Sequence, residues 1–306
     1  MIRTILSKRI LSHKTAGTIG NQFPAITTHF RLLSSTEDKD DFDAKTHVHF
    51  RASPRPHPLN AKPDAEKYYQ ESLGDHTGRQ QNYIWTLEEL DDRMKNLYRH
   101  KPQTFSDKVV NKFMYGLYHV FNFVTGYEAK DPTVRAIQWR LILLESIAGL
   151  PGFVAAGFRH FRSLRRLRSD HGWIPTLLEE AENERMHLLL CLNTFKASSL
   201  TRYIVLGGQY IMAPFLMMVY LVHPKSMHRF VGYLEETACT TYVNVINKIQ
   251  TPGTKLHAAW ANTPAPQMGI GYYRLPKDAM WVDCLKCMMA DEANHRDVNH
   301  TFADMK

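Results

Sequence analysis

The sequence has little cysteine, no run of alternating apolar and polar residues typical of strands, and little net charge beyond its first residues. Four cysteines among 306 residues are too few for a disulfide scaffold. Five of the 38 basic side chains lie in residues 1–36, which hold no Asp or Glu, so the remainder is nearly balanced against 30 acidic side chains. Because a nucleic-acid-binding domain carries its basic excess on the folded part, we expect no nucleic-acid partner.

The composition also excludes several classes of protein. With 44% hydrophobic and 22% charged residues and a mean hydropathy of -0.36, the chain is typical of globular proteins. It is not typical of disordered chains, collagen-like repeats or polytopic membrane proteins. We therefore expect one or two domains with hydrophobic cores.

The beginning of the chain lacks the uninterrupted apolar segment of a secretory signal. Residues 1–36 are basic, rich in Ser and Thr and free of acidic groups, with Ile2, Ile5 and Ile10 between the basic residues. This composition predicts a mitochondrial transit peptide; the alternative is an untargeted tail. We interpret residues 37–103 as an extended arm or linker, because their first half mixes charge with proline and has little apolar periodicity.

The rest of the chain, residues 104–306, has the apolar periodicity of helices. We predict an all-α domain, with a long loop over residues 251–276. The predicted helices cover residues 106–127, 134–167, 174–197, 200–222, 226–249 and 278–303.

One segment in this domain raises the question of a membrane. Residues 203–222 carry no charge and approach the roughly 20 residues that span a bilayer. A single transmembrane helix is one interpretation. Gln209 and Pro214 interrupt the segment, and we favour a helix that is buried in a bundle or lies partly in lipid.

Two Glu-x-x-His motifs carry the chemistry of the domain. Glu184 with His187, and Glu292 with His295, each place a carboxylate and an imidazole on one face of a helix. One such pair is weak evidence, because a solvated helix face also explains it. Two pairs match the ferritin-like bundle, whose two metal ions take one pair from each of two helices and one inward Glu from each of two others.

Two isolated glutamates fit the remaining positions. Glu145 lies among apolar and small residues, and Glu235 shares a helical face with Val231, Ala238 and Tyr242. A buried carboxylate without a partner is costly, and a metal ion would remove that cost. The alternative for each glutamate is a partly exposed side chain. Oxygen and nitrogen ligands suit iron or manganese better than a thiol-rich zinc site.

The motifs resemble those of the mitochondrial alternative oxidases. The similar segments are LESIAGLPG, LLEEAENERMHLL, YLEET and ADEANHRDVNHTFAD. The resemblance implies a ferritin-like four-helix bundle with a carboxylate-bridged di-iron core and two additional membrane-associated helices, expected over residues 110–124 and 203–222. It also implies a homodimeric ubiquinol oxidase that reduces dioxygen to water without pumping protons. Such an enzyme binds one leaflet of the inner mitochondrial membrane on the matrix side.

The resemblance assigns roles to individual residues. The implied iron ligands are Glu145, Glu184, His187, Glu235, Glu292 and His295. Tyr242 falls on a tyrosine beside the metals, and Asn183 and Asp291 on positions that orient the histidines. The positions around the quinol headgroup are Arg140, Leu144, His228 and Thr241.

Four positions depart from the family pattern. Tyr118 and Asn122 replace an Arg and an Asp, Thr237 replaces a third Glu, and Met289 replaces an Arg. Because the predicted metal ligands are all present, we favour a working ubiquinol oxidase. The alternatives are a metal-binding structural or assembly subunit of a mitochondrial membrane complex, and a different di-iron reaction such as hydroxylation of a quinone precursor or iron oxidation.

Overall fold

The described part of the chain consists of helices and the loops that join them, with a single antiparallel bridge between Pro264 and Met280. The structure, a computed structural model, describes residues 84–170 and 172–305. Within these residues the prediction of an all-α fold is confirmed. The helices are α1 (Leu87–Lys95), α2 (Phe105–Thr125), α3 (Val134–Arg166), α4 (Trp173–Thr194), α5 (Ser199–Val222), α6 (Pro224–Gln250), α7 (Lys255–Trp260), α8 (Gln267–Tyr273) and α9 (Trp281–Asp304).

Local sequence signals set the ends of the long helices. Thr104 begins α2 with a capping box, in which its hydroxyl accepts the Asp107 N–H and the Asp107 carboxylate accepts the Thr104 N–H. Gly126 ends the same helix at a φ of 68°, a conformation that favours glycine. Thr133 and Ser198 cap α3 and α5 through their hydroxyls. Because of these capping residues, the helices begin and end close to the boundaries that the periodicity predicts.

Helices α3, α4, α6 and α9 form the bundle. The most extensive packing joins α9 to α6 and α4 to α3. Apolar side chains fill the space between the helices, among them Ile137, Leu190, Ile246 and Leu285, each with no exposed surface. The packing brings the polar faces of four helices together inside an apolar core, which is where the candidate site lies.

Helices α2 and α5 lie on the outside of this bundle. Helix α2 packs mainly on α6, and α5 packs on α3 and α6. Two described helices, α3 and α5, have the length and composition of a membrane span. The apolar segment of α3 is 56% buried inside the protein, whereas that of α5 is only 11% buried. Helix α3 is therefore a bundle helix, and α5 is an exposed apolar one.

Two segments differ from the sequence interpretation. Helix α1 lies in the segment that we interpret as an extended arm, and α7 and α8 lie in the predicted loop of residues 251–276. A capping box between Thr86 and Glu89 begins α1, and Trp85 donates its indole N–H to Asp291 Oδ1 at 2.7 Å. Tertiary contacts of this kind stabilise helices too short for a clear periodic pattern.

The proposed transit peptide of residues 1–36 and the arm up to residue 83 lie outside the described residues. The three-part organisation of the chain stays a prediction. Within its last part, the helices of residues 105–304 form the bundle and its two outer helices.

Candidate metal centre

The six predicted metal ligands lie on the four bundle helices and point into the interior. Helix α3 provides Glu145, α4 provides Glu184 and His187, α6 provides Glu235, and α9 provides Glu292 and His295. Every one of these side chains is buried. The spacing of three residues in each Glu-x-x-His motif turns both groups of the pair inward, as predicted.

Four of these residues form a compact cluster that could hold a metal ion. Ligand atoms of Glu145, Glu184, His187 and Glu292 all lie within 4.8 Å of one another. His187 Nδ1 is 3.1 Å from Glu292 Oε1 and 3.5 Å from Glu145 Oε2. His295 Nδ1 is 2.7 Å from Glu184 Oε1. The second histidine therefore adjoins the cluster on the α9 side.

Glu235 stands slightly apart from this cluster but shares its electrostatics. It lines the same cavity as Glu145, Glu184 and Glu292. Burial, followed by the charges of Glu292 and Glu184, raises its pKa well above the ordinary value. The same causes, with Glu292 again the strongest charge, raise the pKa of Glu184. Glu184 and Glu235 thus lie in a buried space beside the charge of Glu292, an arrangement that a bound cation would stabilise.

Unsatisfied polar atoms show that the residues fit a metal ion. Both carboxylate oxygens of Glu184 and both ring nitrogens of His295 are buried without hydrogen-bond geometry, and so is one oxygen each of Glu145 and Glu292. Buried polar atoms in proteins are normally paired, so such a concentration needs an explanation. A cation among these oxygen and nitrogen atoms supplies it, and the donor set suits iron or manganese.

Asp291 connects His187 to the surrounding structure. Its Oδ2 lies 3.1 Å from His187 Nε2 and accepts the Asn183 amide at 3.0 Å and the Tyr273 hydroxyl at 2.7 Å. Burial alone lowers the pKa of His187, but its contacts with Asp291 and two glutamates raise that pKa well above the usual value. Asp291 thus contacts the histidine that it was predicted to orient, whereas Asn183 contacts Asp291 rather than a histidine.

Sequence reasoning missed several residues around Asp291 and Asn183. Trp85 and Tyr273 complete the contacts of Asp291, and the Tyr272 hydroxyl accepts from Asn183 at 2.8 Å. Glu180 is buried near His295, and burial raises its pKa to about 6. Its position one turn before Glu184 on α4 is the sequence signal that could have identified it; nothing local marks Trp85, which lies far away in the chain.

Tyr242 contacts the cluster directly. Its hydroxyl donates to Glu145 Oε1 at 2.6 Å, and the side chain is 3% exposed. Burial and the nearby Glu145 charge raise its pKa well above the ordinary value, so the phenol keeps its proton. The residue therefore lies within reach of any metal that Glu145 holds.

A cavity of about 280 Å³ joins this cluster to an exposed surface of the protein. Its wall includes Glu145 and Glu184 at the cluster, and Val120 and Val124 of α2, which are more than half exposed. Apolar side chains from α2, α3, α5 and α6 make up most of the wall. An apolar molecule can therefore enter between the outer helices and reach the carboxylates.

The structure brings three of the four predicted quinol residues to this cavity. Arg140, Leu144 and Thr241 line it. His228 is elsewhere: its Nδ1 lies 3.0 Å from Asn299 Oδ1.

The surroundings of His228 are aromatic. Its ring meets those of Trp173, Tyr220 and Phe302 edge to face at 5.5 to 5.8 Å. Since His228 precedes Glu235 by seven residues, the helical pattern predicts one shared face. His228 and Glu235 do share one face of α6. That face extends beyond the cavity, so Glu235 lines the cavity and His228 does not.

The four departures from the family pattern have different environments. Tyr118 and Thr237 line the cavity, and Asn122 Oδ1 accepts from Arg140 Nη1 at 2.6 Å. Met289 is fully buried in the hydrophobic core. Three of the four departures therefore gather around the cavity, whereas Met289 is a packing residue.

Comparisons with known proteins agree with this geometry. The family description "Alternative oxidase" matches residues 85–304. The chain is 38% identical over 246 residues to "Alternative oxidase, mitochondrial" of Cryptococcus neoformans, covering 73% of this chain and 60% of that protein.

It is also 47% identical over 199 residues to the protein of the same name from Ajellomyces capsulatus, covering 60% of this chain and 55% of that protein. The aligned part thus spans little more than half the length of these two curated relatives. The family match extends across every helix of the bundle and includes all six predicted metal ligands. The chain belongs to the alternative oxidase family.

Proposed function

We propose that this protein is a mitochondrial ubiquinol oxidase, which oxidises ubiquinol and reduces dioxygen to water at two iron ions without pumping protons. The observation that carries the proposal is the apolar cavity, because it leads from an exposed apolar surface to a buried cluster of carboxylates and imidazoles. A hydrophobic reductant needs such a path, and the family membership and the mitochondrial names of the relatives support it.

The six predicted ligands would hold the two ions. Glu145, Glu184, Glu235 and Glu292 provide the carboxylates, and His187 and His295 the imidazoles. When bound, the iron pair supplies the redox chemistry that joins a two-electron donor to dioxygen. Since each quinol gives two electrons and two protons, two quinols are consumed for each dioxygen converted to water.

The protein's own groups position the reductant and its protons. Thr241 donates its hydroxyl proton to the Thr237 carbonyl at 2.8 Å, and its oxygen, which also neighbours the Tyr127 phenol, would accept a quinol hydroxyl. Arg140 provides a donor at the same wall, and Leu144 an apolar surface. Tyr242 keeps a proton on its oxygen 2.6 Å from Glu145 Oε1, and we propose it as a redox-active side chain. The apolar wall excludes water from these groups.

We propose that α2 and α5 enter one leaflet of the inner mitochondrial membrane from the matrix side. Both helices expose large apolar side chains, including Phe123 at 89% and Ile211 at 72%. A basic group that would bind anionic lipid headgroups follows at the end of α3. This group comprises Arg162, Arg165, Arg166 and Arg168, whereas Arg159 of the same run pairs with Asp170 at 2.8 Å.

We also propose a homodimer. The supporting observation is that α3 and α4 expose large apolar residues that do not line the cavity, among them Phe153 at 67% and Leu178 at 43%. An exposed apolar patch of this kind is typical of an interface between subunits. Sedimentation of the detergent-solubilised protein measures the subunit number.

Oxygen uptake in liposomes tests the proposed reaction. The iron-loaded protein is supplied with reduced ubiquinol in the presence of cyanide, and bound iron is counted by elemental analysis. We expect uptake by the wild type, and loss of both iron and uptake in Glu184→Gln, because that change removes a charged ligand. Glu182→Gln is the matched control, since Glu182 lies two residues away and pairs with Arg185 at the surface.

The possible results separate the hypotheses. Uptake that persists in Glu182→Gln and disappears in Glu184→Gln supports the oxidase. No uptake by a wild type that holds two irons contradicts it and favours the structural or assembly subunit. Analysis of the organic product distinguishes quinol oxidation from hydroxylation of a quinone precursor.

A further inference from the structure

A second cavity of the protein lies where α1 and the segment after it face α9. Its volume is about 710 Å³, which is within the range of pockets that hold small organic molecules. Most of its lining side chains are polar or charged, whereas the wall of the cavity at the metal centre is mainly apolar. This second cavity, the acidic cleft, therefore suits a different kind of ligand.

The charge of the acidic cleft is negative. Five carboxylates and two guanidiniums line it, an excess of three negative charges. The carboxylates are those of Glu88, Glu89, Asp92, Asp297 and Asp304. A concave surface with charge of one sign raises the local concentration of counter-ions, so the cleft attracts cations.

Two of the carboxylates are available to a ligand. Arg296 Nε binds Asp297 Oδ1 at 2.6 Å, so these two charges compensate each other. Glu88 and Asp92 lie one turn apart on α1 and form no ion pair with a described residue; Asp92 accepts the neutral Asn96 amide at 2.6 Å. A bound cation would therefore find its counter-charges on α1.

A buried imidazole in the same cleft needs a partner. His100 lines the cleft, is 7% exposed, and its Nε2 is buried without a hydrogen-bond partner. Burial, followed by the charges of Arg229 and His300, lowers the pKa of His100, so the ring is neutral at pH 7 and has one acceptor nitrogen. Buried polar atoms are normally paired, and an N–H donor of a ligand would satisfy this one.

The geometry favours an extended cation over a single metal ion. Among the described residues, Glu145, Glu184, His187 and Glu292 are the one group of three or more acidic, His or Cys side chains close enough to hold an ion. The carboxylates of the acidic cleft are therefore too far apart to coordinate one ion directly. A linear molecule with several ammonium groups can reach separated carboxylates, and each ammonium donates hydrogen bonds.

We propose that the acidic cleft binds a small linear polyamine, whose ammonium groups pair with the carboxylates of α1 and donate to His100 Nε2. The site is separate from the proposed reaction, since neither ubiquinol nor iron takes part in it. Trp85 also lines the cleft and donates to Asp291 Oδ1 at 2.7 Å. A ligand that joins α1 to α9 would hold this contact beside the metal centre in place.

Calorimetric titration of the iron-loaded full chain in neutral detergent tests the proposal, with the linear trication spermidine as the probe. Asp92 and Asp91 are neighbouring exposed aspartates of α1, and only Asp92 lines the cleft. We expect Asp92→Asn to weaken spermidine binding about three- to fivefold, the size of one exposed ion pair. The matched control Asp91→Asn changes the affinity by less than about twofold at an ionic strength of about 0.1 M.

His100→Phe tests the buried acceptor, because phenylalanine preserves a ring beside His300 and removes Nε2. We expect it to weaken spermidine binding about three- to tenfold, with the helix content unchanged by circular dichroism. Wild-type protein that does not bind spermidine overturns the proposal, as do equal losses in Asp91→Asn and Asp92→Asn, which would indicate general surface charge. Magnesium chloride that binds as tightly as spermidine also overturns it and assigns the cleft to a hydrated inorganic ion.

Discussion

Helices α5 and α9 have the same length, 24 residues, and opposite relations to their surroundings. Helix α5 carries one charged side chain, Arg202, and most of its residues are exposed. Helix α9 carries acidic, basic and imidazole groups, and most of its residues are buried. Burial in this protein therefore does not follow hydropathy. Polar groups lie inside where they contact one another, as His187 and Glu292 do, and apolar groups lie outside where lipid would replace water.

The largest expected effect comes from placing a lysine on each of the two helices. Leu285 of α9 is fully buried and Ile211 of α5 is 72% exposed. We expect Leu285→Lys to lower the free energy of unfolding by at least about 4 kcal/mol, because it buries a charge without a partner. Ile211→Lys leaves the detergent-solubilised protein folded but weakens its binding to liposomes about tenfold or more.

Denaturant titration and liposome flotation measure the two quantities. The comparison between the helices fails if both variants unfold, or if Ile211→Lys binds liposomes as well as the wild type. Unchanged liposome binding of Ile211→Lys would mean that α5 packs against protein rather than lipid.

A smaller effect is expected from the pH dependence of His228. Burial lowers its pKa from 6.5 to about 4, so the unfolded chain binds a proton at a higher pH than the folded protein does. Stability is therefore lost as the pH falls from about 6.5 to about 4, by about 3 kcal/mol, and changes little above that window. We expect His228→Gln to flatten this part of the stability profile.

Unfolding free energies at pH 7 and pH 4.5 give the profile for each protein. The slope between the two values is the relevant quantity, because His228→Gln also loses ring contacts with Trp173 and Phe302 at both pH values. An equal slope in wild type and variant shows that His228 does not titrate as its burial implies.

The smallest effects distinguish the glycines of a buried helix from those of an exposed one. A Cβ on Gly152 of α3 would lie 2.8 Å from the Leu177 carbonyl oxygen, whereas one on Gly207 of α5 would meet nothing within 4 Å. We expect Gly152→Ala to destabilise the protein by about 1 to 3 kcal/mol. Gly207→Ala stabilises it by about 0.5 to 1 kcal/mol through helix propensity. Thermal unfolding of both variants gives the signs; two destabilising results would contradict the exposed position of α5.

Much of the fold and of the metal cluster was predictable from the sequence. Glu184 with His187, and Glu292 with His295, are local motifs, because a spacing of three residues is enough to place both groups on one helical face. The boundaries of α3 and α6 agree with prediction within about two residues. Helices α1, α7 and α8 were missed, because they are short and depend on contacts with distant parts of the chain.

The amino-acid sequence by itself determined the long helices and which candidate metal ligands share an inward face of them. These properties depend on neighbours three or four residues apart, which the chain order fixes. Only the tertiary structure decided that Trp85 and Tyr273 share Asp291 with His187 and that His228 faces Asn299. It also decided that Arg140 has Asn122 and three aromatic rings as its partners. Such contacts join residues far apart in the chain, and the packing of the helices sets their distances.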